Sequence, residues 1–283
     1  MKINTEALDL PSPAEQWLAA YGDKLPRHNP AIVAFIGGGH EHDDELAALE
    51  RSASGNPSSI LRLLKVANSP FFGLSKQITS VKQAITVLGF SAASAIVLRG
   101  IILDAFDISS ADLMANELIA HSVMTGICAK VLAEEWGEPR DIAFTIGILH
   151  NIGKLTMLVY ARTLAEEIYR GNERTGEELE RELEVFGFSH AELGILMLKK
   201  WHIPDTIIEA IRDYPDLADC STRLKRIIHH AQAIAGLLRQ EGGGPLPGNT
   251  IERLSNELDV SGPRLHALTH TILREVAIII APV

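Results

Sequence analysis

The residues whose types and spacing could do chemistry are concentrated in His150-Asn151-Ile152-Gly153-Lys154. An imidazole beside an oxygen-bearing side chain at the end of an apolar helix, with a Gly turn and a Lys just beyond, has the outline of a metal motif. The oxygen here belongs to Asn151. An amide is neutral and a weak donor, so it cannot be the anionic ligand that holds divalent ions close together. Lys154 has the charge for a phosphate contact; the plainer reading is an exposed lysine just past a helix end. Arg223, Lys225 and Arg226 with His229 and His230 form a basic run, and Arg223, Arg226 and His230 fall at i, i+3 and i+7 on one helix face. That is a small footprint for nucleic acid, and a solvated face is the favoured reading. Gly37-Gly38-Gly39 is not followed by the Lys-Ser/Thr of a phosphate-cradling loop and reads as a flexible turn. Cys128 lies inside an apolar helix and Cys220 has only Asp219 and Ser221 beside it, so neither has the positive surroundings that activate a thiolate.

Those residues need a scaffold, and composition says what kind. A chain of 283 residues makes one large or two ordinary domains, enough to bury a sizeable core. Hydrophobic residues at 46% and charged residues at 22% are those of a globular protein. The 26 basic residues against 36 acidic ones leave a net charge of −10, which argues against an electrostatic grip on nucleic acid or an anionic membrane. Two cysteines without metal-type spacing read as reduced thiols. No consecutive apolar run approaches the roughly 18 residues of a membrane span. The start, Met1 to Glu6, has no apolar leader core. The expectation is a cytoplasmic protein.

Along the chain the pattern is helix after helix. Ser12 and Pro13 open the first, and Leu25-Pro26 begins the next unit. Pro30 to Ile36 is a short apolar helix, and Asp43 or Asp44 caps another that Gly55-Asn56-Pro57 ends. Ile60, Leu63, Leu64 and Ala67 share a helical face, with Asn68 and Pro70 closing it. Helices follow from Ser80, from Ser91 to Phe106, from Ala111 to Trp136, and from Arg140 to His150. A single helix is expected from Leu155 to Ile168. Thr175 starts an acidic amphipathic helix with a solvated charged face, and Ser189 caps the next. Three more helices are read from Thr222 to Gln240, Thr250 to Leu258, and Pro263 to about Ile280. No period-two alternation is sustained, so strands are not expected. Asn68 reads as a helix C-terminal group, Phe71 and Phe72 as core aromatics; the functional alternative for all three is a recognition surface.

The run Leu64-Lys65-Val66-Ala67-Asn68-Ser69-Pro70-Phe71-Phe72-Gly73, continued through Ile78 to Gly89, resembles the signature of the HDOD family, the HD-related output domain of bacterial signalling proteins. Ile148 to Leu155 fits the same family, as does Phe188 to Gly194 followed by Trp201-His202-Ile203-Pro204. The resemblance runs from about Leu25 to about Asp213. It implies an all-α fold: an N-terminal extension over 1–24, a helical bundle over 25–108, and an HD-like helical half with C-terminal capping helices over 109–283.

In the HD superfamily, histidines on several helices, an adjacent His-Asp pair and a distal Asp build the metal centre. By that resemblance the matching positions are His121, His150 with Asn151, His190, and Gln232, so both expected carboxylates are amides. A tightly held binuclear centre is not expected, and no cofactor is assigned. Three histidines could still hold a single transition ion, but a structural role as hydrogen-bonded groups of a remnant cleft is favoured. The implied function is a non-catalytic signalling output or adaptor protein acting on a protein partner, sensing at most a small ligand in the cleft. Since no receiver or cyclic-dinucleotide domain fits beside it, the partner is expected in trans. Two alternatives stay open: a weak metal-dependent phosphohydrolase using His121, His150 and His190, and a DNA-binding regulator.

Overall fold

Helix boundaries follow local chemistry. Ser12 accepts the Glu15 amide while the Glu15 carboxylate accepts the Ser12 amide, a reciprocal cap that opens α1 (Pro13–Tyr21). Single side-chain caps from Asn56, Ser80 and Asp112 open α2 (Pro57–Ala67), α3 (Val81–Leu88) and α5 (Leu113–Trp136), with α4 (Phe90–Ala105) between the last two. The chain continues through α6 (Arg140–Leu149), α7 (Ile152–Tyr160), α8 (Arg162–Tyr169) and α9 (Thr175–Phe186). Ser189 and Glu192 repeat the reciprocal cap before α10 (His190–Lys200), and α11 (Asp205–Arg212) follows. Thr222 caps α12 (Arg223–Gln240), and α13 (Gly248–Leu258) and α14 (Gly262–Ile280) are the last described helices. These elements come from a computed structural model that describes residues 11–26, 47, 49–53, 55–109, 111–169, 175–212, 222–242 and 244–280. No strand occurs among them, and the protein is all-α. The helix expected at Pro30 to Ile36, the Gly37-Gly38-Gly39 turn, the caps at Asp43 or Asp44, and Cys220 lie outside the described residues.

The central element is α5, which packs on α6, α12, α14 and α4. It is apolar on nearly every side, and Ile127, Cys128 and Leu132 are fully buried, as befits a helix covered all round. On one side α4 joins it to the smaller layer of α2 and α3; on the other, α7 leads to α10 and α8. Against α10 lies α1, from which Tyr21 donates a hydrogen bond to the Tyr160 carbonyl at 2.9 Å. The Trp201 indole, completely buried, donates to the Pro26 carbonyl at 3.0 Å and so ties the start of the chain to the end of α10.

Two close helix approaches set the geometry. At the α5–α6 crossing, a Cβ on Gly147 would stand 2.5 Å from the Gly126 Cα, so the two backbones touch where any side chain would hold them apart. At the α7–α10 crossing, a Cβ on Gly153 would overlap the His190 carbonyl oxygen and stand 2.8 Å from the Gly194 nitrogen. Gly153 was expected as a turn. It is helical, and the turn falls one step earlier at His150-Asn151, because Gly153 is needed for contact and not for flexibility.

Two further expectations are corrected. The helix expected from Leu155 to Ile168 breaks at Ala161 (φ −130°, ψ 49°), which no Gly or Pro announces. The stretch Arg140–Tyr160 is long and apolar enough to cross a membrane by length and composition, with a mean hydropathy of 1.5, yet 89% of that window is buried inside the fold. Counting consecutive apolar residues overlooked it, since Thr145, His150, Asn151 and Lys154 interrupt the run.

Candidate functional site

A cleft of about 620 Å³ opens between α5, α7, α9, α12 and α13, and His121, Asn151, Lys154 and Gln232 all line it. They come from different helices. His121 sits on α5, Asn151 at the head of α7, Lys154 one turn into α7, and Gln232 on α12. His150 ends α6 directly behind this surface, fully buried, with its ring centroid 6.1 Å from that of His121. The amide at Asn151 is 3% exposed.

Burial keeps both imidazoles neutral. The His121 ring is lowered to about 3, first by desolvation and then by the nearby charges of Lys154 and Arg239. Its Nδ1 is buried and has no hydrogen-bond partner among the described residues. Desolvation also drives His150 well below the usual imidazole range, helped by His121 and opposed by the Gly147 carbonyl 2.6 Å from Nδ1. A carbonyl only accepts, so Nδ1 carries the proton of His150.

His190 is held by a different set of partners. Fully buried at the start of α10, it directs Nδ1 at both Glu182 oxygens, at 2.8 and 2.7 Å, while its backbone N–H donates to Glu182 Oε2 at 2.7 Å. Tyr169 donates its hydroxyl to the same carboxylate at 2.8 Å. Desolvation alone would raise the Glu182 carboxyl; His190 and Lys154 overcome it and hold the group below the ordinary glutamate value. The expected solvated face of this acidic helix is therefore wrong at Glu182, which is 0% exposed. The signal was there: Glu182 lies three residues after Leu179 and four before Phe186, on the apolar stripe of α9. Its neighbour Glu178 pairs with Lys154 at 2.6 Å, and the Lys154 ammonium also lies 5.4 Å from the centre of the Tyr169 ring. Lys154 is thus buried and paired, not an exposed lysine past a helix end.

These donors do not fit a binuclear metal centre. At the two positions where the resemblance expects carboxylates the chain holds the neutral amides of Asn151 and Gln232, and both line the cleft. Among the described residues, no group of three or more His, Cys, Asp or Glu is arranged to hold an ion. What the cleft presents is a neutral imidazole, two amides and charges of both signs, including Arg239 and Glu117, which sequence reasoning did not single out. Such a surface carries both hydrogen-bond donors and acceptors.

The remaining candidates lie elsewhere. Asn68 donates Nδ2 to the carbonyls of Leu64 and Ile78, each at 2.8 Å, and accepts the Ile78 amide at 2.7 Å, so it closes α2 and also fastens the following loop. Phe72 is half-buried against the core, but Phe71 is 59% exposed, contrary to the expectation of a core aromatic. In the basic run, Arg226 stacks 5.6 Å from the centre of the Trp136 ring and Arg223 reaches the Trp136 carbonyl at 3.3 Å, bracing α12 against the end of α5. Burial pushes the Cys128 thiol far up, which leaves it inert at neutral pH.

Comparison with known proteins agrees with this geometry. The family model for the HDOD domain matches residues 25–216. An uncharacterized protein of Treponema pallidum (strain Nichols) is 24% identical over 215 residues, 73% of this chain but 40% of its own length. The chain therefore spans about two fifths of that relative. Two crystal structures share the fold, each with a TM-score of 0.66. One is an HDOD domain protein of unknown function from Geobacter sulfurreducens, 21% identical, with 95% of this chain and 98% of that one covered. The other, from Shewanella amazonensis SB2B, is provisionally named a phosphohydrolase; it is 20% identical, with 93% and 97% covered.

Proposed function

The chain belongs to the HDOD domain family, and from that premise we propose that it is a non-catalytic signalling protein that acts through contacts with a partner protein. The remnant cleft is left to bind at most a small polar ligand. One observation carries this reading: where hydrolysis would need an anionic ligand beside His150, the chain holds the buried amide of Asn151, and the buried carboxylate of Glu182 is hydrogen-bonded to His190. Changes even to groups behind the metal ligands typically lower metal affinity about 10- to 100-fold, so exchange of ligands themselves weighs more.

The rival reading, a weak phosphohydrolase with a single transition ion, draws on the closeness of His121 and His150 and on the unpartnered Nδ1 of His121. One experiment separates the two. Protein purified without chelator is analysed for metal and assayed for phosphodiesterase and nucleotidase turnover, beside His150→Ala. The proposal expects no stoichiometric metal and no turnover that the substitution removes. Stoichiometric metal with turnover lost in His150→Ala would overturn it.

A further inference from the structure

The small N-terminal layer carries a surface that the cleft leaves unused. Leu61 on α2 is 67% exposed, and the turn after it bares Phe71 at 59% and Leu74 at 43%. Large exposed apolar side chains on one small layer are candidates for an interaction site. Beside them runs a groove of about 610 Å³ lined by Leu61, Leu64, Pro70 and Ile78. Three Asn68 hydrogen bonds to Leu64 and Ile78 join one wall to the other. A groove that is already formed loses little freedom when it is filled.

Charge identifies what fills it. From residue 57 to residue 103 there is no Asp or Glu, while Arg62, Lys65, Lys76, Lys82 and Arg99 fall in that span, on a chain whose net charge is −10. Lys65 lines the groove. Lys76 and Lys82 are exposed on the loop and helix that continue it, and none of these three lysines forms an ion pair among the described residues. An apolar floor with a basic edge is complementary to carboxylates flanking apolar anchors.

We propose that this groove docks an acidic, amphipathic segment of a partner protein, its apolar side chains on Leu61, Leu64 and Phe71 and its carboxylates against Lys65, Lys76 and Lys82. The proposal rests on the contact-based function above and supplies the surface and the class of partner.

A second copy of this chain is the competing occupant, since α9 is acidic and exposes Leu183 and Val185. The test is a benzophenone side chain introduced at Phe71 of the full chain, irradiated in source cells, with the crosslinked peptides sequenced. The same probe at Leu164, exposed on α8, is the control. Expected are crosslinks to partner segments richer in Asp and Glu than in Lys and Arg, with yield falling on the order of tenfold in Lys65→Glu/Lys82→Glu. Phe71→Ser, probed from Leu61, should lower it as well. Four results would overturn the proposal: no crosslink above the control, captured segments that are neutral or basic, capture of α9 from a second copy, or a yield indifferent to charge reversal. Turnover lost in His150→Ala alongside the expected crosslinks would remove the non-catalytic reading and leave the docking surface standing.

Discussion

Replacing Gly153 by Ala probes the contact that positions the cleft. Here α7 lies against the first turn of α10, and an added Cβ would overlap the His190 carbonyl oxygen while standing 2.8 Å from both the His190 carbonyl carbon and the Gly194 nitrogen. All three obstacles are backbone, so no rotamer change relieves them. Overpacking a core ordinarily costs about 1–3 kcal/mol, and an obstacle that cannot rotate away puts this site at about 3–4 kcal/mol. Alanine regains about 1 kcal/mol of helix propensity over glycine, which leaves a net loss of about 2–3 kcal/mol. For a chain of this size each kcal/mol moves the melting midpoint by about 2–4 °C, so a drop on the order of 5–10 °C is expected. Gly236→Ala on α12 is the internal control. Nothing lies within 4 Å of its added Cβ, so the same change should be neutral or stabilise by about 0.5–1 kcal/mol. Urea denaturation followed through the fluorescence of buried Trp201 reads both variants. If Gly153→Ala were as stable as the parent, the close approach of α7 to α10, and with it the placement of Asn151 and Lys154, would be refuted.

Three other outcomes follow from the same interactions. His121 and His230 are held at about 3 and about 4 against 6.5 unfolded, chiefly by desolvation, so the unfolded chain takes up more protons between those values. Stability is then full above pH 6.5 and declines as pH falls toward 4, by about 2–3 kcal/mol from His121 and, discounted for its wetter surroundings, about 1 kcal/mol from His230; denaturation midpoints unchanged between pH 7 and 4.5 would contradict this. Glu182→Gln removes the charge that His190 and Tyr169 converge on and should cost about 2–3 kcal/mol, read by urea midpoint; a loss under about 0.5 kcal/mol would mean the carboxylate is not held as described. Asn68→Ala deletes three exposed hydrogen bonds and should cost only about 1 kcal/mol, while the Ile78 amide exchanges faster with solvent; an unaltered Ile78 exchange rate would show that the loop is held by something else.

The amino-acid order alone determined where six of the helices begin, because capping is a local contest: Ser12, Asn56, Ser80, Asp112, Ser189 and Thr222 each satisfy the amide three residues on, whatever the remainder of the chain does. It also determined that the position after His150 carries an uncharged oxygen, since that is a matter of residue type. Burial was another matter, because it depends on which helix covers which face. The sequence reading put Lys154 and the charged face of α9 at the surface and Phe71 in the core; the folding of α9 over α7 buried Lys154 and Glu182, while Phe71 stayed bare. The break at Ala161 and the 6.1 Å approach of His121 to His150 likewise belong to helices meeting across long stretches of chain. Those meetings turn on backbones touching at Gly126, Gly147 and Gly153, where the absence of a side chain acquires its meaning only once a second helix is in place.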